Sequence, residues 1–167
     1  CLVGSEMCIR DSIIASYLWN MFDFAVPTSR RGSVEARNMK GMMTFDRKIK
    51  KDSYFWYKAN WSKEPVLYLT QRRNALRERK ETSVTVYSNI GTPKVYLNDQ
   101  ELTGVKKGYT DVHYIFDKVV LNDGKNVLKA VISYQGKEYS DEIEWNYNGE
   151  CNREAEFFEF KKEHGSW

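Results

Sequence analysis

Between Pro65 and Trp145 the chain breaks into short apolar runs separated by turn-forming residues, and this pattern constrains its fold more than any other feature. Val66-Leu67-Tyr68-Leu69 follows Pro65, Val84 alternates with Val86 and Val95 with Leu97, and residues 113–119, 126–133 and 138–145 complete the series. An apolar period of two is that of a strand with one face buried. The breaks fall at residues 89–93, Asn98-Asp99, Asn122-Asp123-Gly124 and 134–137. Asn, Asp and Gly tolerate the left-handed backbone that tight hairpins require. Residues 62–147 are therefore predicted to form a β-sandwich of roughly seven strands.

The part before Pro65 follows other rules. Ile13-Ile14-Ala15-Ser16-Tyr17-Leu18 is a continuous apolar run, which fits a strand covered on both faces or a segment of buried helix. From Asp23 to Gly41 the periodicity is lost and Pro27, Gly32, Arg and Ser accumulate, predicting a long loop. Asp52 is placed to cap a helix with its side-chain oxygen. Beyond it Tyr54, Tyr57, Lys58 and Trp61 recur at three- and four-residue spacing, with Phe55 widening the stripe, and predict a packed helix face. After Tyr147 the pattern is lost. Phe157, Phe158 and Phe160 among Glu and Lys fit a final strand, a short helix or the start of another module, so residues 148–167 form an unassigned tail.

Size and charge remove several classes. A closed eight-stranded (β/α) barrel takes about 250 residues, and this chain has 167. The net charge of +3 is spread over clusters at Arg30-Arg31, 47–51 and 72–80 that acids interrupt, so no nucleic-acid surface is expected. No apolar run reaches the roughly 18 residues of a membrane span. The start lacks a basic region followed by a small-residue cleavage site, so any signal peptide is expected upstream. Residues 1–12 resemble a translated sequencing-adapter stretch and are left out of fold reasoning; Cys1 and Cys8 go with them. With Cys151 the cysteines lack zinc-site spacing, and no cofactor or metal is predicted for this chain.

A sugar pocket needs aromatic faces for the apolar side of the ring and polar groups for its hydroxyls. Trp19 and Asn20 offer both, while Phe22 and Phe24 read equally well as packing. Three segments then carry a family resemblance: Leu18-Trp19-Asn20-Met21-Phe22-Asp23-Phe24, the stretch Asn-Met-Lys-Gly-Met-Met-Thr-Phe-Asp-Arg-Lys at 38–48, and Lys-Lys-Asp-Ser-Tyr-Phe-Trp-Tyr-Lys-Ala-Asn-Trp-Ser at 50–62. In this combination and order, residues 13 to about 145 resemble the C-terminal part of glycoside hydrolase family 2 enzymes. The likeness is greatest to bacterial β-galactosidases, whose barrel is followed by immunoglobulin-like domains.

The resemblance implies a mainly β chain: an immunoglobulin-like sandwich over 62–147, preceded at 13–61 by the last strand, loop and helix of a truncated (β/α)8 barrel. It implies that Trp19 closes the end of the last barrel strand and forms one side of the sugar pocket. Asn20 would contact sugar or organise that strand end. Asn38 and Lys40 match an Asn-x-Lys pair that approaches the sugar carboxylate in the related β-glucuronidases; the same short pattern also occurs in galactosidase-like sequences and does not decide the substrate. Asp23, Asp52 and Trp61 would give structural support. The two catalytic glutamates belong to earlier barrel strands and have no positions here, so the chain alone is expected to be inactive; Asp23, Asp46 and Asp52 do not replace them.

The intact protein would cleave terminal β-galactosides with retention, with a β-glucuronidase as the alternative. A third reading is a non-catalytic glycan-binding or structural sandwich with Tyr87, Tyr96, His113 and Tyr114 as candidate exposed aromatics, although strand alternation makes inward packing of part of this set equally reasonable. The implied partners are a β-linked sugar and the upstream barrel and accessory β domains of the same chain. A metal ion accompanies some such enzymes, and a periplasmic or secreted location would suit the intact protein.

Overall fold

The computed structural model describes residues 17–26 and 36–149. The strand expected from Ile13, the tip of the loop, all three cysteines, and the tail with Phe157, Phe158, Phe160 and His164 lie wholly or mostly outside the described residues. In chain order the elements are β1 (Phe24–Ala25), β2 (Arg37–Asn38), α1 (Asp52–Trp61), β3 (Leu67–Leu69), β4 (Leu76–Arg77), β5 (Glu81–Ser88), β6 (Lys94–Leu97), β7 (Gln100–Glu101), β8 (Val105–Lys107), β9 (His113–Val120), β10 (Gly124–Tyr134) and β11 (Lys137–Tyr147). The chain divides into two compact units between Lys48 and Ile49. No helix among the described residues is long and apolar enough to cross a membrane.

The second unit is a sandwich of two sheets. One has the order β3-β5-β9-β8 and the other β4-β11-β10-β6-β7. With β3 taken as strand A, these are A-B-E-D facing a sheet built on G-F-C, the immunoglobulin arrangement. Alternation in β5 sends Val84 and Val86 inward, and β9 answers with Tyr114 and Phe116. Leu128 and Ala130 of β10, Val95 of β6 and Trp145 of β11 meet them from the opposite sheet in one buried cluster. Each fully buried Leu or Val contributes about 1.5–3 kcal/mol. Seven strands have three or more residues; β4 and β7 add two-residue edges.

The hairpin turns use the residues that the sequence offered for them. Asn98 and Asp99 (φ 47 and 66) join β6 to β7, and Gln135 and Gly136 (φ 51 and 76) join β10 to β11. These left-handed pairs match the twist of the strands that they connect. A fully buried asparagine organises the opposite side of the Asn98 turn. Asn126 donates Nδ2 to the carbonyls of Asn122 (2.8 Å) and Gly124 (2.9 Å), and its Oδ1 accepts the Asn122 N–H at 2.8 Å. Asn98 donates to the same Oδ1 at 3.3 Å and accepts the Val127 N–H at 2.8 Å.

Four expectations need correction. Val105–Lys107 was not foreseen as a strand, because β8 is an edge with all three residues exposed and so shows no apolar alternation. Tyr114 is not a surface aromatic: it lies opposite Val86 and points into the core, 5% exposed. Asp52 does not cap α1 by a side-chain bond. Lys51 occupies that position, and Asp52, the first helical residue, accepts the Tyr68 hydroxyl at 2.8 Å and the Gln71 N–H at 2.7 Å.

The fourth correction concerns the helix face. Ala59 is the buried residue of α1, Phe55 stacks on Tyr68 with centroids 3.8 Å apart, and Trp61 is 70% exposed against Tyr57. The stripe that packs on β3 and β5 is thus Asp52–Phe55–Ala59. Ring size favoured the neighbouring stripe in the sequence, but the small Ala59 lets the helix approach the sheet.

The sandwich is also cross-tied between its sheets. Asp141 of β11 accepts the backbone N–H of Leu69 in β3 at 2.7 Å and pairs with Arg72, whose guanidinium lies 4.8 Å from the Tyr68 ring. Nearby, the buried Arg77 guanidinium lies 3.5 Å from the Trp145 ring centroid and donates to Gln71; burial pulls its pKa down to about 10.

Candidate sugar-facing site

The first unit contains the residues singled out for sugar contact, and it is more ordered than a plain loop. Phe24 pairs with Asn38 and Ala25 with Arg37, in antiparallel register. The Val26 N–H donates to the Ala36 carbonyl at 3.0 Å, extending that pairing. Earlier residues pair with later ones in the opposite sense: Phe22 forms a parallel bridge with Met43. Met42 N–H donates to the Asn20 carbonyl (3.1 Å), Met43 N–H to the Met21 carbonyl (3.0 Å) and Asp23 N–H to the Met43 carbonyl (3.0 Å). A backbone clamp therefore joins the Trp19 segment to the residues after Lys40.

Trp19 is 73% exposed, with its ring edge-on to Phe24 at 5.9 Å. The Trp19-Asn20 peptide bond is cis. Asn20 is half-buried and uses Oδ1 to accept its neighbour's N–H, from Met21 at 2.7 Å. Asn38 is buried, and its Oδ1 accepts the Lys40 N–H at 3.0 Å, an Asx turn. Lys40 itself is exposed and forms no ion pair among the described residues. Asn38 thus presents Lys40 and does not reach outward itself. Asp23 is buried, and its Oδ1 accepts the Gly41 N–H at 2.9 Å.

Two further cations sit on rings in this unit, Arg37 over Phe45 and Arg47 over Phe22, each 4.7 Å from the centroid. Asp46 is held below the usual carboxylate range, first by the Thr44 hydroxyl and then by the Lys48 N–H. A carboxyl so easily ionised is a poor proton donor, so its role is to close a turn. The sequence motifs single out Trp19, Asn20, Asn38 and Lys40 as candidates for sugar contact. They include Gly41 without giving it a role, because the contact that constrains Gly41 comes from residues 18 positions away.

The sandwich offers less for a ligand. Tyr68, Tyr87 and His113 form a row of rings on the outer face of the β3-β5-β9 sheet, and Phe55 of α1 stacks on Tyr68 at one end. Tyr109, beside His113, is the strongly exposed ring of the group, at 84%. The His113 Nδ1 accepts the Tyr109 N–H at 3.3 Å, so this nitrogen is already occupied by a loop contact. An open cleft of 330 Å³ beside β7 and the end of β9 is lined by Leu97, Glu101, Leu102, Asp117 and Val119, among others, and has no aromatic ring. Among the described residues no three His, Cys, Asp or Glu converge as metal ligands.

No family model matches the chain. Individual relatives do. A β-glucuronidase from Bacteroides fragilis is 32% identical over 139 residues, covering 83% of this chain and 20% of the relative. The crystal structure of a candidate β-galactosidase from Bacteroides fragilis superposes with TM-score 0.81 and 78% identity, covering 86% of this chain and 21% of that one. An FMN-binding β-glucuronidase from Faecalibacterium prausnitzii follows at TM-score 0.69 and 38% identity, covering 81% of this chain and 20% of that one. The chain spans about a fifth of the length of these relatives.

Proposed function

We propose that this chain, a relative of the family 2 glycoside hydrolases over a segment of their length, forms one wall of the sugar pocket in an enzyme that hydrolyses terminal β-glycosides with retention. The observation that carries this reading is the clamp that unites Trp19 and Lys40 in one small unit: an exposed indole and an exposed ammonium, without an ion pair among the described residues, on a common backbone support.

The chemistry divides between this wall and the rest of the enzyme. Retaining hydrolysis needs two carboxylates about 5–5.5 Å apart, one a nucleophile and the other an acid that later acts as base. The two described acids of this unit have other tasks, Asp23 toward Gly41 and Asp46 in its turn, and the family resemblance assigns both carboxylates to barrel strands that precede this segment. The wall supplies binding. The Trp19 face takes the apolar side of the sugar ring, and Asn20 holds the strand end that carries it. Residues 13–61 are read as the end of that barrel, with α1 as its last helix.

Between the two sugar classes, Lys40 favours a glucuronide. An exposed ammonium is suited to a sugar carboxylate, and the charge-assisted bond contributes about 1.5–3 kcal/mol. The relatives named as β-glucuronidases support the same choice. The galactoside reading keeps the support of the candidate β-galactosidase at 78% identity. A non-catalytic glycan-binding sandwich has the weakest support, since the rings of its outer face lie largely under or beside other groups.

The test is hydrolysis of p-nitrophenyl β-D-glucuronide and p-nitrophenyl β-D-galactoside by the complete enzyme, with and without Lys40→Met. The expected result is glucuronide cleavage whose KM rises about 10- to 100-fold in the variant. Cleavage of the galactoside alone would reject the glucuronide reading in favour of the second one, and cleavage of neither would reject both.

A further inference from the structure

We propose that Asp23 and Gly41 form a positioning latch that sets where the Lys40 ammonium stands relative to the Trp19 wall, and so act as specificity-determining residues for an acidic sugar. This rests on the reading that Lys40 meets the sugar carboxylate.

The latch follows from two consecutive backbone N–H groups. The Lys40 N–H is taken by Asn38 Oδ1 at 3.0 Å and the Gly41 N–H by Asp23 Oδ1 at 2.9 Å. Both acceptors are buried, at 8% and 4% exposure, while Lys40 between them is exposed. The cation thus has a free tip on a base held from two sides. A carboxylate accepting a backbone N–H makes a stronger bond than a neutral acceptor does, and burial strengthens it further.

Gly41 is constrained by space as well. A β-carbon at this position would lie 2.1 Å from the Asp23 nitrogen and 2.1 Å from the Phe22 carbonyl carbon. These obstacles are backbone atoms, which cannot rotate aside. The absence of a side chain lets the two segments approach closely enough for Met42 and Met43 to bond to Asn20 and Met21. Trp19 stands one residue before the first of those acceptors, and Lys40 one residue before Gly41. Any separation at Gly41 therefore changes the spacing between indole and ammonium, and displacements of about 1 Å in a binding constellation cost large factors in rate.

The experiment uses the complete enzyme and the two nitrophenyl glycosides, with Lys40→Met as the control for the underlying reading. Gly41→Ala and Asp23→Ala are expected to raise KM for the glucuronide about tenfold or more while changing kcat little. Asp23→Asn keeps an oxygen for the Gly41 N–H and is expected to recover most of the KM lost in Asp23→Ala. Asp23→Ala removes an acceptor without forcing backbone apart, so it serves where Gly41→Ala fails to fold.

If Lys40→Met raises KM but Asp23→Ala does not, the latch is overturned and the glucuronide reading stands. If Asp23→Asn is no better than Asp23→Ala, the hydrogen bond is not what positions Lys40, and the latch is overturned. If Lys40→Met leaves KM unchanged, the glucuronide reading falls and this inference falls with it.

Discussion

The Asp52 carboxylate accepts the hydroxyl of Tyr68 at 2.8 Å, joining the first turn of α1 to the first strand of the sandwich. The same carboxylate takes the Gln71 N–H, and Phe55 one turn later stacks on the Tyr68 ring. Burial raises the pKa of Tyr68, and the Asp52 hydrogen bond and charge raise it further. Burial likewise pushes Tyr87 up to about 12, with the Asp52 charge adding to it. A folded pKa above the unfolded value of 10.0 means stability that is complete below pH 10 and lost as pH rises toward the folded pKa. Denaturant midpoints across this range are expected to fall, and Tyr68→Phe to flatten the fall while costing about 1.5–3 kcal/mol near neutrality. An alkaline profile identical in Tyr68→Phe and the parent would contradict this.

Asn126 satisfies its amide within one turn and the neighbouring hairpin. Asn126→Ala leaves the Asn122 N–H and the Asn122 and Gly124 carbonyls without these partners and empties a fully buried side-chain site. The expected loss is about 1–3 kcal/mol in urea unfolding, from several lost hydrogen bonds of about 0.5–1.5 kcal/mol each, softened where water reaches the exposed Asn122. Asn98→Ala should give a smaller loss, and the two losses should not add, because both side chains meet at the Asn126 Oδ1. Strict additivity would show that the turns are independent.

The sandwich was legible because its signals are local. Alternation in β5 and β9, and left-handed turn residues at Asn98-Asp99 and Gln135-Gly136, each declare themselves within a few positions. Edge strand β8 was not legible: Val105–Lys107 buries no residue, and a strand that buries nothing has no period to read. The helix face was misread for another physical reason. Contact depends on how closely two backbones approach, so Ala59 decided the packed face and Trp61 did not. In the first unit the motif marked Asn38 and Lys40, but Phe24, which pairs with Asn38, and Asp23, which holds Gly41 beside Lys40, lie across the loop. Gly41 is required by backbone atoms of Phe22 and Asp23, and no neighbour in sequence announces that requirement.

Residues 49–149 contain the whole cluster around Val86, Leu128 and Trp145 together with α1. Expressed without the first unit they are expected to unfold in one cooperative transition, with slow amide exchange in β5, β9 and β10. Added to either nitrophenyl glycoside, the full 167-residue chain should release no nitrophenol, because the family resemblance places both catalytic carboxylates on earlier strands and the described acids of the first unit, Asp23 and Asp46, are engaged in fold contacts. Measurable turnover that survives purification would refute the assignment of both catalytic carboxylates to a preceding barrel.

His113 carries an acid-side counterpart of the tyrosine effect. Burial holds its pKa below the ordinary imidazole value of 6.5, and its Nδ1 accepts the Tyr109 N–H. Protonation would turn that acceptor into a second donor and break the contact. The unfolded chain binds a proton first as pH falls, so stability is full above pH 6.5 and declines below it until the folded imidazole also titrates. The charged neighbours on this loop, Lys107 and Asp111, pair with each other at 2.8 Å. His113→Gln should remove the part of the acid-side decline that this residue causes, measured as thermal midpoint between neutral and mildly acidic pH. Gly108→Ala should destabilise the same loop at every pH, since its β-carbon would fall 2.2 Å from the His113 Nδ1. An unchanged acid-side slope in His113→Gln would show that the carboxylates alone set it.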